Sequence, residues 1–181
     1  ARSGRPGPVW IDVPMDVQSA KIDEDSLRHF SESELKKPYK EEPTEEELAR
    51  VSTLLSKSKR PVVIVGHGVR LGKAISEFRQ FVEKYGIPCV SPFLGVGILP
   101  TGHPLHVGCI GTKGTRAGNL AVQNSDLVIS IGSRLSVSSV AHEYDKFARA
   151  ATKVVVDIDP EEHRKKTIHI DLFINADAKK F

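Results

Sequence analysis

Three short stretches hold the residues most suited to chemistry, and each follows an apolar run. They are GHGVRLG at 66–72, GSRLS at 132–136 and DIDPEE at 157–162. Gly66 and Gly68 let a backbone turn sharply and approach a ligand closely. That suits a phosphate cradle, and equally a plain turn between a strand and a helix. Arg134, after Gly132 and Ser133, is of the type that pairs with phosphate or stacks on a planar ring; a surface salt bridge is the alternative. Asp157 and Asp159 end an apolar run two residues apart, so along a strand they share a face. Carboxylates at a strand end suit ribose hydroxyls. Asp159 is equally placed to cap the turn that Pro160 begins.

Other chemistry is disfavoured. A dinucleotide fingerprint beginning at Gly66 needs its third glycine at Leu71, but the glycine is Gly72, and no acidic residue closes the next strand near Val90. That argues against a standard nicotinamide site. HPLHVGC places His103, His106 and Cys109 near one another, at a spacing that fits neither a zinc ribbon nor a helical two-histidine site. No GxSxG elbow or cysteine–histidine pair marks a nucleophile. The expectation is no catalytic residue and no metal site in this chain.

The elements that must position these residues are legible. TEEELARVSTLL predicts a helix capped by Thr44 and Glu47, with Leu48, Val51, Leu54 and Leu55 on one face. Val62–Val65 reads as a strand. Leu71, Ala74, Ile75, Phe78, Phe81 and Val82 mark a helix ending at Gly86. Ile87–Val90 is the next strand, interrupted by Pro88. Residues 115–124 read as a helix with Ala117, Leu120 and Ala121 inward. Leu127–Ile131 is a strand, 139–151 a helix through Val140, Tyr144, Phe147 and Ala148, and Val154–Ile158 a strand. Ile168–Ile174 is the last strand, and NADAKKF opens a new helix at Asn175 or Asp177. Strands apolar on both faces, alternating with helices, predict an α/β fold: a doubly wound, mostly parallel sheet with helices on both faces, Rossmann-like. Ligands of such a sheet bind beyond the C-terminal strand ends. A small ligand here is expected to contain adenine and to lie between Gly66–Gly68, Gly132–Arg134 and Asp157–Asp159.

The 181 residues suffice for one α/β domain. The net charge of +3 is dispersed, without a basic block interleaved with aromatics, which argues against nucleic acid. No apolar run is long enough to cross a bilayer, and no secretory signal opens the chain. Cys89 and Cys109 lie in apolar surroundings and read as reduced thiols of a cytoplasmic protein. GRPGPVWIDVP at 4–14 reads as a loop and a short buried strand, Val9–Val13, with nothing before it to pair with. Residues 15–43 are charged and poor in apolar residues, a linker. Both ends look cut from a longer protein.

With these stretches in view, the chain resembles the central domain of thiamine-diphosphate-dependent enzymes of the acetolactate synthase type. GRPGPVWIDVP looks like the end of their N-terminal pyrimidine-binding domain, and RPVVIVGHGV like the start of the central one. Residues 94–135 follow the family pattern almost without gaps, and VVVDIDPEE and INADAKKF follow in the family order. The resemblance divides the chain into a remnant at 1–14, a linker at 15–43 and a C-terminally truncated central domain at 44–181.

It also implies roles. Thiamine diphosphate and Mg²⁺ are held outside this segment, at a GDG-type motif of a C-terminal domain, with an activating Glu in the N-terminal domain. The segment itself is then scaffold, with FAD or ADP as the ligand some members carry here. By matching position, Gly66, His67 and Gly68 lie near phosphates or the ribityl chain; Ile110, Gly111, Thr112 and Lys113 flank the flavin. Gly132, Ser133 and Arg134 contact the dinucleotide, and Asp157, Ile158, Asp177 and Ala178 lie near its adenosine and ring ends. Leu135, Ser136, Val137 and Ser138 replace the Phe-Asp-Asp-Arg of acetolactate synthases, so an acidic residue by the flavin and an arginine facing the substrate channel are missing. The parent implied is a homo-oligomeric carboligase or decarboxylase of 2-oxo acids, partnered by its own missing domains. The alternatives are a free-standing module for FAD, ADP or a CoA-type ligand, and an unliganded packing domain.

Overall fold

The computed structural model describes residues 7–34 and 42–181. The chain divides into two units, Ala1–Pro38 and Tyr39–Phe181. In the first, residues 7–14 form no strand, which corrects the expectation for Val9–Val13. An extended segment becomes a strand only when a ladder pairs its backbone groups. Trp10 is 90% exposed. Helix α1 (Met15–Gln18) and single turns at Glu24–Ser26 and Glu32–Glu34 follow. Residues 35–41 of the predicted linker, and residues 1–6, lie outside the described residues.

The second unit begins with α2 (Glu45–Lys57). Thr44 Oγ1 accepts from the Glu47 amide at 3.2 Å, and Glu47 Oε2 accepts from the Thr44 amide at 2.7 Å, the expected capping box. Then follow β1 (Pro61–Val65), α3 (Gly68–Leu71), α4 (Ile75–Tyr85), β2 (Cys89–Ser91), β3 (His106–Cys109), α5 (Arg116–Gln123), β4 (Leu127–Ile131), α6 (Val137–Val140), β5 (Thr152–Asp157) and β6 (Leu172–Asn175). The strands form one sheet in the order β3-β2-β1-β4-β5-β6, and every pairing is parallel. Alternate strand residues bury opposite faces. Val63, Val65, Ile129 and Val154 pack under α2, α3 and α4. Val62, Ile64, Val128 and Val155 pack under α5 and α6. The fold class is the one expected.

Several elements differ from the sequence reading. The helix expected from Leu71 to Tyr85 is two helices, because Lys73 takes a left-handed φ of 54° between them, and Leu71 is left exposed. The helix expected over 139–151 stops at Val140, where Ala141 (φ 65°) and then Ala148 (φ 44°) turn the chain; one turn at Tyr144–Lys146 remains. Helix α5 buries Gly118 and Val122 rather than Ala117 and Leu120. The Cys109 carbonyl lies where a Cβ at 118 would stand, 2.3 Å away, so the helix docks on the strand at its glycine. Strand β6 is shorter than Ile168–Ile174, β2 begins only after Pro88, and β3 was not foreseen at all. Asp177 Oδ1 caps a turn at the Lys179 amide (2.7 Å), and this turn replaces the helix expected in NADAKKF.

At the N-terminal ends of the strands, Asp126 ties two connections together. Its carboxylate accepts from Ser58 Oγ, and from the Lys59 and Arg60 amides at 2.9 Å each. The Ser58 bond foremost, with the two amides and the Arg60 charge, lowers its pKa to about 2 against the cost of burial.

Candidate functional site: the C-terminal edge of the sheet

The sheet register decides which residues meet. Val65 pairs with Ile131, and Ile131 with Val156. The three strands therefore end level, and Gly66, Gly132 and Asp157 follow side by side. Asp157 in turn pairs with Asn175 of β6. Strand order reverses between β1 and β4, the position at which doubly wound sheets open a crevice. All fourteen residues named from the resemblance sit on this edge: after β1, after β3, after β4, at the end of β5 and after β6.

What they do there is mostly to hold one another. The Gly66 amide donates to the Ile131 carbonyl (2.9 Å) and the Gly68 amide to the Gly132 carbonyl (2.8 Å). A Cβ at 66 would lie 2.2 Å from the Gly132 oxygen, and one at 68 would lie 2.7 Å from its Cα. Gly132 itself has a φ of 60°. The glycines let two loops touch backbone to backbone. His67 Nδ1 lies 3.2 Å from the Leu94 carbonyl, tying this loop to the one after β2.

The β3 loop is docked as well. Gly111 exchanges two hydrogen bonds with Asn119 of α5, at 2.9 and 3.1 Å. The Thr112 amide donates to the Ser138 carbonyl (2.9 Å). Ile110 is buried, while Thr112 and Lys113 are exposed. Ser136 and Ser138, which stand where charge was expected, face each other with their hydroxyl oxygens 2.9 Å apart.

The charged residues are paired. Arg134 Nε donates to Glu162 Oε1 at 3.2 Å, the salt-bridge reading, and Lys165 reaches the same oxygen. Asp157 Oδ1 accepts from the Asp159 amide at 3.0 Å. Its Oδ2 lies 3.5 Å from His163 Nε2, both side chains only 5% exposed. That separation is a close electrostatic contact, too long for a good hydrogen bond; correspondingly, His163 Nε2 has no hydrogen-bond partner. Asp159 lies beyond the strand end, so the two-residue rule does not carry it onto the face of Asp157. Its Oδ1 accepts from the Glu161 and Glu162 amides at 3.1 and 3.3 Å, the turn-capping role. Ile158 is half-buried, and Ala178 packs on the core under α4. A cavity of about 240 Å³ opens beside Arg134, lined also by Tyr144, Glu162, His163, Lys165 and Ile168.

Sequence reasoning missed Glu162 and His163. Glu162 was legible only as part of an exposed-looking acidic pair. His163 lies in a charged run, HRKK, with nothing to signal burial. Of the cysteines, Cys89 is buried, and desolvation alone pushes its thiol up to about 12. His103, half of the discounted metal pattern, is held between Glu83 (3.2 Å) and the Leu105 amide (3.2 Å).

Residues 48–181 match the family described as "Thiamine pyrophosphate enzyme, central domain". The chain belongs to this family. Among curated proteins it is 40% identical to the acetolactate synthase large subunit of Lactococcus lactis subsp. lactis, over 99% of this chain and 30% of that protein. It is 36% identical to a probable acetolactate synthase large subunit of Methanocaldococcus jannaschii, over the same shares. With acetolactate synthase 2 of Nicotiana tabacum it shares 39% identity, over 99% of this chain and 26% of that one. The chain therefore spans about 30% of the length of the first two of these relatives and 26% of the third. Nothing in these matches favours a free-standing adenine-nucleotide module. The resemblance to acetolactate-synthase-like central domains, read from motif order, holds across nearly the whole chain.

Proposed function

We propose that this chain is the central, scaffolding domain of a longer thiamine-diphosphate- and Mg²⁺-dependent enzyme, a carboligase or decarboxylase of 2-oxo acids. The observation that carries the reading is the family match over 48–181, within relatives about three times as long. When bound, the cofactor supplies the carbanion chemistry that removes CO₂ from a 2-oxo acid and passes the remaining acyl unit to an acceptor. This chain's own part is mechanical. Six parallel strands and two packed faces hold the loops of one edge rigid. The carboxylates of that edge are engaged by amides and cations of their own loops, so the diphosphate and Mg²⁺ are assigned to other domains.

The edge made by Gly66, His67, Gly68, Ile110–Lys113, Gly132–Arg134, Asp157, Ile158, Asp177 and Ala178 is the face proposed to meet the neighbouring domains. In members that carry FAD or ADP, it also meets the dinucleotide. Residues 1–14 are proposed to belong to a preceding domain and 15–43 to a linker; the exposure of Val9, Trp10 and Ile11 supports this. The parent is proposed to be a cytoplasmic homo-oligomer. Two free thiols suit a reducing compartment.

The test is to express the longer gene product that contains this chain and to titrate thiamine diphosphate with Mg²⁺ by calorimetry. CO₂ release from pyruvate and from a bulkier 2-oxo acid is measured alongside. Saturable binding with cofactor-dependent CO₂ release is expected; failure to bind the cofactor would overturn the reading.

A further inference from the structure

We propose that the crevice at the C-terminal edge is closed to adenine dinucleotides in this chain, and that His163 and Glu162 are the residues that close it. The inference rests on reading this edge as the family's nucleotide-facing side. Three kinds of group would have to bind a dinucleotide here, and each has a partner from its own chain. The Gly66 and Gly68 amides, the phosphate donors a cradle needs, donate to the carbonyls of Ile131 and Gly132. The notional Cβ contacts of 2.2 and 2.7 Å show that Gly132 fills the space between these loops. Arg134, its side chain 58% exposed, is paired through Nε with Glu162. Asp157, the ribose acceptor, has one oxygen on the Asp159 amide and the other covered by the His163 ring.

The His163 ring is fixed in that place. It packs on Phe173 of β6 with ring centroids 5.2 Å apart, and its side chain is 5% exposed. A carboxylate 5% exposed cannot present an oxygen to a ribose without moving that ring. Ser136 and Ser138, bonded to each other, supply no charge to compensate. The residues present therefore do not fit FAD, and His163 and Glu162 act as specificity residues by taking up the two side chains a nucleotide would use.

The experiment uses the full-length gene product. Flavin released from the purified protein by acid is measured by fluorescence, and ADP and FAD are titrated by calorimetry into wild type, Glu162→Gln, His163→Ala and the double variant. Wild type should release no flavin and show no saturable binding up to about 1 mM ligand. The double variant should bind ADP saturably, with a Kd of about 0.1 mM or tighter, and Arg134→Ala added to it should remove that binding. His163→Gln keeps the bulk at this site and serves if His163→Ala unfolds, with circular dichroism confirming the fold of each protein. Stoichiometric flavin in wild type would overturn the proposal. So would wild-type ADP or FAD binding near 1 µM that Asp157→Asn abolishes. Folded variants that gain nothing would overturn the assignment to His163 and Glu162. Thiamine diphosphate binding, measured separately, reports on the family reading, so the two failures are distinguishable.

Discussion

Residues 9–13, VWIDV, and residues 61–65, PVVIV, are built from nearly the same kinds of residue. Both are short, mostly β-branched or aromatic, and flanked by proline or glycine. In the second, Val63, Ile64 and Val65 are completely buried, and the strand is paired along both edges. In the first, Trp10 and Ile11 stand open to solvent and no ladder forms. The contrast teaches that β-propensity is a statement about surroundings. Strand β1 exists because β2, β4 and two helical layers meet it; Val9–Val13 has the same propensity and no strand among the described residues of its own unit to pair with.

The largest test of this contrast is amide exchange. Val63, Ile64 and Val65 should exchange only through global unfolding, with protection on the order of 10⁴ or more, while Ile11, Asp12 and Val13 exchange almost unprotected. Slow amides at Val9–Val13 in a demonstrated monomer would break the comparison. Next in size are paired truncations read by urea unfolding. Ile64→Ala should cost about 2–5 kcal/mol, and Ile11→Ala less than about 0.5 kcal/mol. Equal costs would mean that both segments are packed.

Glycines sharpen the same point at smaller scale. Gly132→Ala places a methyl 2.8 Å from Gly68 Cα and Val69 N on a residue with positive φ. It should cost about 1–3 kcal/mol by overpacking, with strain added. Gly7→Ala meets no atom within 4 Å and should be neutral in thermal melts. The smallest effect separates two aspartates by pH. Asp126 has its pKa lowered to about 2 in the fold, below its unfolded value near 3.9. Its contribution is therefore complete above about pH 4 and lost as pH falls through about 2. Asp126→Asn should cost about 1 kcal/mol at pH 7, allowing for solvent screening, and progressively less as pH falls through about 2. Asp23→Asn, in the exposed turn of the first unit, should leave the unfolding midpoint at pH 7 unchanged.

The edge itself was legible because glycines, an arginine and aspartates close successive apolar runs, and because parallel strands deliver all such ends to one side. How that edge is furnished was not legible. Whether Gly66 faces a phosphate or a carbonyl depends on where Gly132 stands, and Gly132 belongs to a loop 66 residues away in the chain. The misread helices have a similar origin. The pattern Val140, Tyr144, Phe147, Ala148 has helical spacing, yet these residues reach one apolar face through two left-handed turns instead. Periodicity records which side chains are buried, not the backbone path that brings them there.

Local physical chemistry, written in the sequence, determined the capping box at Thr44 and Glu47, the strands of unbroken apolar residues, the αL stop at Gly86 and the parallel α/β class. Each depends on residues within a few positions of one another. Only the tertiary structure decided the register that sets Gly66, Gly132 and Asp157 side by side, the glycine docking of α5, and the burial of His163 against Asp157. A histidine in a run of charges carries no mark of burial. It becomes buried because β5 and β6 pair and bring Phe173 beneath its ring, and contacts between distant segments are set by the packing of the whole sheet.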